Sequence, residues 1–202
     1  MKKIGCLVVA GVLVVLALWG VGAYNGLVGA EQEVEEAWAQ VQNVYQRRAD
    51  LIPNLVSTVK GSAAFERETL TDVVQARAQV GQLSTQATEQ ILNDPQKFQQ
   101  YQQAQDGLSS ALSRLLVVVE RYPELRSTEA FQNLMVQLEG SENRIAVERR
   151  RFNEVARNYN TRLKRFPTNL FANLFGFEPR PYFAAQPGAE TAPKVDFSGT
   201  PR

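Results

Sequence analysis

The sequence predicts an all-α protein, with an N-terminal transmembrane helix followed by an elongated antiparallel bundle of about four helices. Three observations carry that expectation. Ile4 to Ala23 is an uninterrupted apolar run; apolar residues in the body recur at every third or fourth position; and Pro and Gly are scarce between the run and Pro167.

Within Ile4–Ala23 the only ionisable group is the weakly acidic Cys6. At a helical rise of about 1.5 Å per residue the run matches a hydrocarbon core of roughly 30 Å. Lys2-Lys3 and the small residues Val21-Gly22-Ala23 would also suit a cleaved signal peptide, but the run is longer than the usual signal core of about 7–15 residues. A retained single-pass anchor is therefore expected. Cys6 precedes the apolar core, whereas lipoprotein processing would need it afterwards. Lys2 and Lys3 stand against a stretch free of Lys and Arg from Tyr24 to Gln46, which places the N-terminus in the cytoplasm and the bundle outside it. Gly22, Gly26 and Ala30 recur every fourth residue. They form one small-residue face for anchor self-association if the helix continues, and a flexible exit if it does not.

Composition removes most chemistry. There is no histidine, and the single Cys lies in the anchor, so the commonest general base and the usual zinc ligands are missing from the body. No Gly-rich loop follows a strand to cradle phosphate, and the acids are spread along helical patterns. No catalytic residue, cofactor site or metal site is expected. A formal net charge of +1 gives no overall electrostatic case for nucleic acid.

The first body helix carries Val34, Trp38, Val41, Tyr45, Arg48, Ile52, Leu55 and Val59, stepping by fours and threes as in a coiled coil. Gly61-Ser62 offers a stop. A second segment from about Phe65 to Leu92 carries Leu70, Val73, Val74, Val80 and Leu83, with a weakly patterned end over Ser84–Gln90. Asn93-Asp94-Pro95 restarts the chain, with Asp to cap free amides and Pro at the first helical position. The third segment runs to about Arg121 on Phe98, Tyr101, Leu108, Leu112, Leu115 and Val119, and Pro123 breaks it. Ser127 or Thr128 caps the fourth, whose seam is Phe131, Met135, Leu138, Glu142, Ile145, Arg149, Phe152, Ala156, Tyr159, Leu163 and Phe166. Gly140-Ser141 is a weak point in it.

Some residues depart from the pattern. Arg48, Glu142 and Arg149 occupy apolar seam positions, where a charge paired across helices fixes register. Arg48 and Glu142, of opposite sign, are expected to meet. Pro53 removes a backbone bond and clashes with the carbonyl of Ala49, so the helix is expected to kink or break there. With Arg47, Arg48, Asp50 and Asn54 around it, this cluster is either a packing bend or a docking surface.

The string Arg47-Arg48-Ala49-Asp50-Leu51-Ile52-Pro53-Asn54-Leu55-Val56, with Tyr24-Asn25-Gly26-Leu27-Val28 and Trp38 before it, resembles the LemA family of bacterial membrane proteins. Agreement continues through Thr58-Val59-Lys60-Gly61, Ala76-Arg77, Glu142-Asn143-Arg144-Ile145, Arg149-Arg150-Arg151-Phe152-Asn153, Tyr159-Asn160, Phe166-Pro167 and Gly176-Phe177. The resemblance implies one membrane helix and a long antiparallel bundle in the bacterial cytoplasmic (inner) membrane, with relatives among magnetosome-associated proteins. It carries over no catalytic residues.

Phe166, Leu170, Phe171, Leu174, Phe175 and Phe177 crowd a short stretch before Pro179 and Pro181. Such a segment folds back to cap a bundle, or inserts at a membrane interface or partner. The expected organisation is a basic start (1–3), the transmembrane helix (4–24), the bundle (25–166), an aromatic capping or interface segment (167–183) and a disordered tail (184–202). The expected function is a non-enzymatic scaffold or adaptor that uses the lipid bilayer and a protein partner or copies of itself. The alternative is a self-assembling envelope-stress or membrane-remodelling accessory.

Overall fold

The computed structural model describes residues 2–60, 66–86 and 88–184, with the side chains at 2–10, 12, 13 and 16 outside that description. Its elements are α1 (Lys2–Lys60), α2 (Arg67–Ser84), α3 (Thr88–Asn93), α4 (Pro95–Val119), α5 (Pro123–Arg126), α6 (Glu129–Lys164) and α7 (Thr168–Phe175). The apolar run and the first seam form one unbroken helix of 59 residues. Much of the run lies outside the described side chains, and among the described residues no helix is long and apolar enough to cross a membrane.

Long helices pair antiparallel. Along α1 and α6, Gly26 meets Arg162, Tyr45 meets Arg149 and Arg48 meets Glu142. Along α2 and α4, Asp72 lies beside Arg114 and Glu66 beside Arg121. The α1 seam is buried at every position from Val34 to Val59, because a repeat of three and four keeps one stripe facing its neighbours along the whole helix. The α4 stripe from Phe98 to Val119 is buried throughout as well. Two expected apolar seam residues fall outside the core: Val74 is half exposed, and Phe166 stands 80% exposed beyond the end of α6.

The caps follow local chemistry. Asp94 accepts from the amides of Gln96 and Lys97 at 2.9 and 3.3 Å, with Pro95 opening α4. Thr128 accepts from the Phe131 amide at the start of α6. The second expected segment is two helices, α2 and α3, parted within the weakly patterned stretch. Gly61-Ser62 lies outside the described residues. At Gly140-Ser141, α6 continues unbroken, and Ser141 is buried with its hydroxyl donating to the Gln137 carbonyl at 2.8 Å. Of the kink or break expected at Pro53, the break is absent, since α1 runs through it as helix.

Among the described residues, two apolar cores result. One gathers Leu27, Val34, Trp38, Val41, Phe98, Tyr101, Phe152, Ala156 and Tyr159. The other gathers Ile52, Leu55, Val59, Val73, Leu108, Leu115, Phe131 and Leu138. Each large buried side chain contributes roughly 1.5–3 kcal/mol relative to exposure, so the division between these cores is where polar side chains have to be explained.

Candidate functional site

Between the two cores lies a polar layer built on Arg48. Its side chain is wholly buried, where an uncompensated guanidinium would be costly. Its two terminal nitrogens are satisfied by α4 and α6 together, while Nε has no partner. Nη1 donates to Ser109 Oγ at 2.6 Å and to Glu142 Oε1 at 2.7 Å, while Nη2 donates to Gln105 Oε1 at 2.5 Å and to the Gln105 carbonyl at 3.3 Å. Glu142 is different: its side chain is 41% exposed, so water solvates the carboxylate that the buried guanidinium needs.

One helical turn closer to the first core, Arg149 repeats the arrangement. Nε donates to the Tyr45 hydroxyl at 2.5 Å and Nη2 to Asp106 Oδ1 at 2.8 Å, and the guanidinium lies 5.0 Å from the Phe183 ring centroid. Burial pushes the Tyr45 phenol well above its ordinary range, against the opposing pull of Arg149. Tyr101 is likewise pushed up by burial, partly offset by Gln105. For Arg149, burial lowers the pKa, but Tyr45 and Asp106 more than offset it and the net shift is upward. Every one of these groups is thereby held in its neutral or charged form across ordinary pH. Neither phenol is therefore poised to exchange protons near neutrality.

Pro53 has a partner that the sequence did not reveal. With no N–H at Pro53, the carbonyl of Ala49 four residues earlier loses its helical donor, and Arg77 Nε from α2 donates to it at 3.1 Å. The proline thus frees an acceptor for docking α2 on α1. Ala49 and Arg77 line the same surface cavity of about 320 Å³ with Tyr45, Tyr101 and Gln105.

The chain after α7 forms an extended strap over the first core. Gly176 ends α7 at a φ of 75°, a left-handed conformation that glycine adopts without strain. Three side-chain amides then hold the strap as a neighbouring strand would. Asn160 accepts from the Arg180 amide and donates to the Arg180 carbonyl, both at 2.8 Å. Asn153 pairs in the same way with Phe183 at 2.8 and 2.9 Å, and Gln102 with Ala184 at 3.1 and 3.0 Å. Between these clamps Arg180 bonds Glu31, and Phe183 stacks on Trp38 with centroids 6.0 Å apart. The aromatic segment's last part therefore packs on the bundle. Of the expected tail, Ala184 is bound by Gln102, and residues 185–202 lie outside the described residues.

The structure separates the residues that the sequence grouped together. Arg48, Glu142 and Arg149 enter the interior layer, whereas Arg47, Asp50, Pro53 and Asn54 are all exposed, Asp50 accepting from Gln46 at 2.7 Å. Gly22 and Gly26 are exposed with open space where a side chain would project, and Ala30 is buried in the bundle. Missed at the sequence level were Gln102, Gln105, Asp106, Ser109, Asn153 and Asn160. Asn153 and Asn160 stood out only as members of the LemA-like strings, and Gln102, Gln105, Asp106 and Ser109 only as amide, carboxylate or hydroxyl side chains beside seam positions. Among the described residues no group of three or more His, Cys, Asp or Glu could hold a metal ion.

The LemA family model matches residues 37–197, which takes in the polar layer, the Ala49–Arg77 contact and the strap. The chain belongs to the LemA family. Among curated LemA-related proteins, it is similar to magnetosome protein MamQ 2 of Paramagnetospirillum magneticum, 28% identical over 182 residues, covering 83% of this chain and 67% of the relative. MamQ of Magnetospirillum gryphiswaldense matches with the same identity and coverage. Protein LemA of Metamycoplasma hominis is 23% identical over 152 residues, covering 75% of this chain and 64% of the relative.

Proposed function

We propose that this LemA-family chain is a non-enzymatic, membrane-anchored scaffold or adaptor of the bacterial cytoplasmic membrane, presenting its bundle outside the cytoplasm to a protein partner. The observation that carries the proposal is the continuity of α1 from Lys2 to Lys60. An apolar run and a bundle helix that share one backbone have no hinge between them. From Tyr24 to Lys60 the helix would extend about 55 Å at the helical rise. Such a rod fixes the height and facing of everything packed on it, which is what a scaffold needs and a tethered enzyme does not.

Crosslinking followed by mass analysis of the detergent-extracted complex from native membranes tests this. A defined second protein at constant stoichiometry is the expected result, and a large assembly of this chain alone would overturn it. That second outcome belongs to the alternative, a self-assembling envelope-stress or membrane-remodelling accessory, which draws on the open space beside Gly22 and Gly26. Orientation is tested separately by replacing Cys6 with Ala, placing Cys at Gln186 and labelling intact cells with an impermeant reagent. Labelling before lysis is expected; labelling only afterwards would reverse the topology.

A further inference from the structure

We propose that α7 lies in the membrane–water interface, with its exposed apolar face in the outer part of an anionic phospholipid leaflet. The proposal rests on the membrane-anchor reading of α1 and adds a second, peripheral contact between the bundle and the same bilayer.

One face of α7 is fastened to α1 at the end of the apolar run. Phe171 packs edge-on against Trp19 with centroids 5.3 Å apart, and Phe175 against Tyr24 at 5.0 Å. The approach is close enough that a Cβ on Gly20 would sit 2.8 Å from the Phe171 ring. Trp19 and Tyr24 are the residue types that settle at the headgroup level of a bilayer. A span of roughly 20 residues starting at Ile4 puts them at that level.

The other face of α7 is apolar and uncovered. Leu170 is 58% exposed and Leu174 75%, one helical turn apart, and Phe166 just before the helix is 80% exposed. Val14, Val15, Leu18 and Val21 of α1 are exposed beside the same end of the bundle. This surface is thus continuous with the segment that would enter the hydrocarbon. Water is a poor solvent for such a contiguous patch, and lipid is the neighbour that the anchor supplies.

Charge selects the kind of lipid. Arg157, Arg162, Lys164 and Arg165 precede α7, and no Asp or Glu occurs from Val155 to Phe177. Arg162 and Arg165 line a groove of about 200 Å³ with Ala23, Gly26, Leu27 and Thr168, with Arg162 donating to the Gly26 carbonyl at 3.4 Å. A basic rim around an apolar face matches an anionic leaflet. It disfavours a second copy of the same face, whose rim would repel it.

The test uses the full chain with Cys6 replaced by Ala, reconstituted in phosphatidylglycerol-containing bilayers, with single cysteines spin-labelled at Ala17, Leu174 or Asn133. Collisions with oxygen and with a water-soluble nickel chelate report depth. Positions 17 and 174 should both favour oxygen, 174 less strongly, and Asn133 should favour the chelate. Position 174 should become more chelate-accessible when phosphatidylglycerol is replaced by phosphatidylcholine or when Arg162→Gln and Arg165→Gln are combined. Oxygen preference at 17 with chelate preference at 174 would overturn the α7 proposal and leave the anchor intact. Dipolar broadening at 174 with exclusion of both reagents would give the face to a second copy and overturn it too. Chelate preference at 17 would remove the anchor and this inference together.

Discussion

Replacing Glu142 should destabilise the bundle more than replacing Arg48, although Arg48 makes the greater number of hydrogen bonds. In Glu142→Leu the guanidinium remains, wholly buried, with only the neutral acceptors of Gln105 and Ser109. Breaking a buried charge pair in this way costs about 3–5 kcal/mol. In Arg48→Met the stem is replaced by an apolar chain of similar length. The Glu142 carboxylate, already 41% exposed, hydrates in place. The remaining loss is the buried side-chain oxygen of Gln105, worth about 1–3 kcal/mol. The double variant should recover much of the Glu142→Leu loss, because no charge is then left in the interior. Denaturant unfolding of the full chain in detergent, followed by circular dichroism, measures all three. Equal costs for the single changes, or strict additivity in the double, would refute the account of one buried and one solvated partner.

Other expectations follow from the same contacts. Arg77→Ala should cost about 1 kcal/mol in the native sequence and almost nothing beside Pro53→Ala, since the new amide at position 53 takes the Ala49 carbonyl from Arg77; an equal cost in both backgrounds would break the proposed link. Asn160→Ala orphans the Arg180 amide and carbonyl in a buried setting, so hydrogen exchange at Arg180 and Phe183 should accelerate by an order of magnitude or more while the centre of α6 stays protected; uniform protection would show the strap to be held by its aromatics alone. Alkaline pH provides a further check. Burial, reinforced by Glu31, pushes Tyr159 up to about 12 from an ordinary 10.0. Only the unfolded chain releases this proton between those values, so its contribution is intact below about pH 10 and falls by about 1.4 kcal/mol per pH unit up to about 12. Tyr159→Phe should flatten that part of the stability curve, and an unchanged slope would assign the loss to Tyr45 and Tyr101.

The helices and their buried faces were legible in the sequence because both are local properties. A three-and-four repeat, as from Val34 to Val59, defines a stripe whatever packs on it, and Asp94-Pro95 caps α4 with atoms only two or three residues away. Opposite charges in two seams also marked Arg48 and Glu142 for each other. Only the tertiary structure decided the rest. A repeat says which face is buried but not which neighbour covers it, so it could not place Gln105 and Ser109 around Arg48. Pro53 announced a missing bond, yet the group that uses the freed carbonyl lies on another helix, at Arg77. The strap has no periodicity of its own. Its backbone groups are satisfied by Gln102, Asn153 and Asn160, amides that both donate and accept and therefore carry no mark of their partner until the fold brings the strands of chain together.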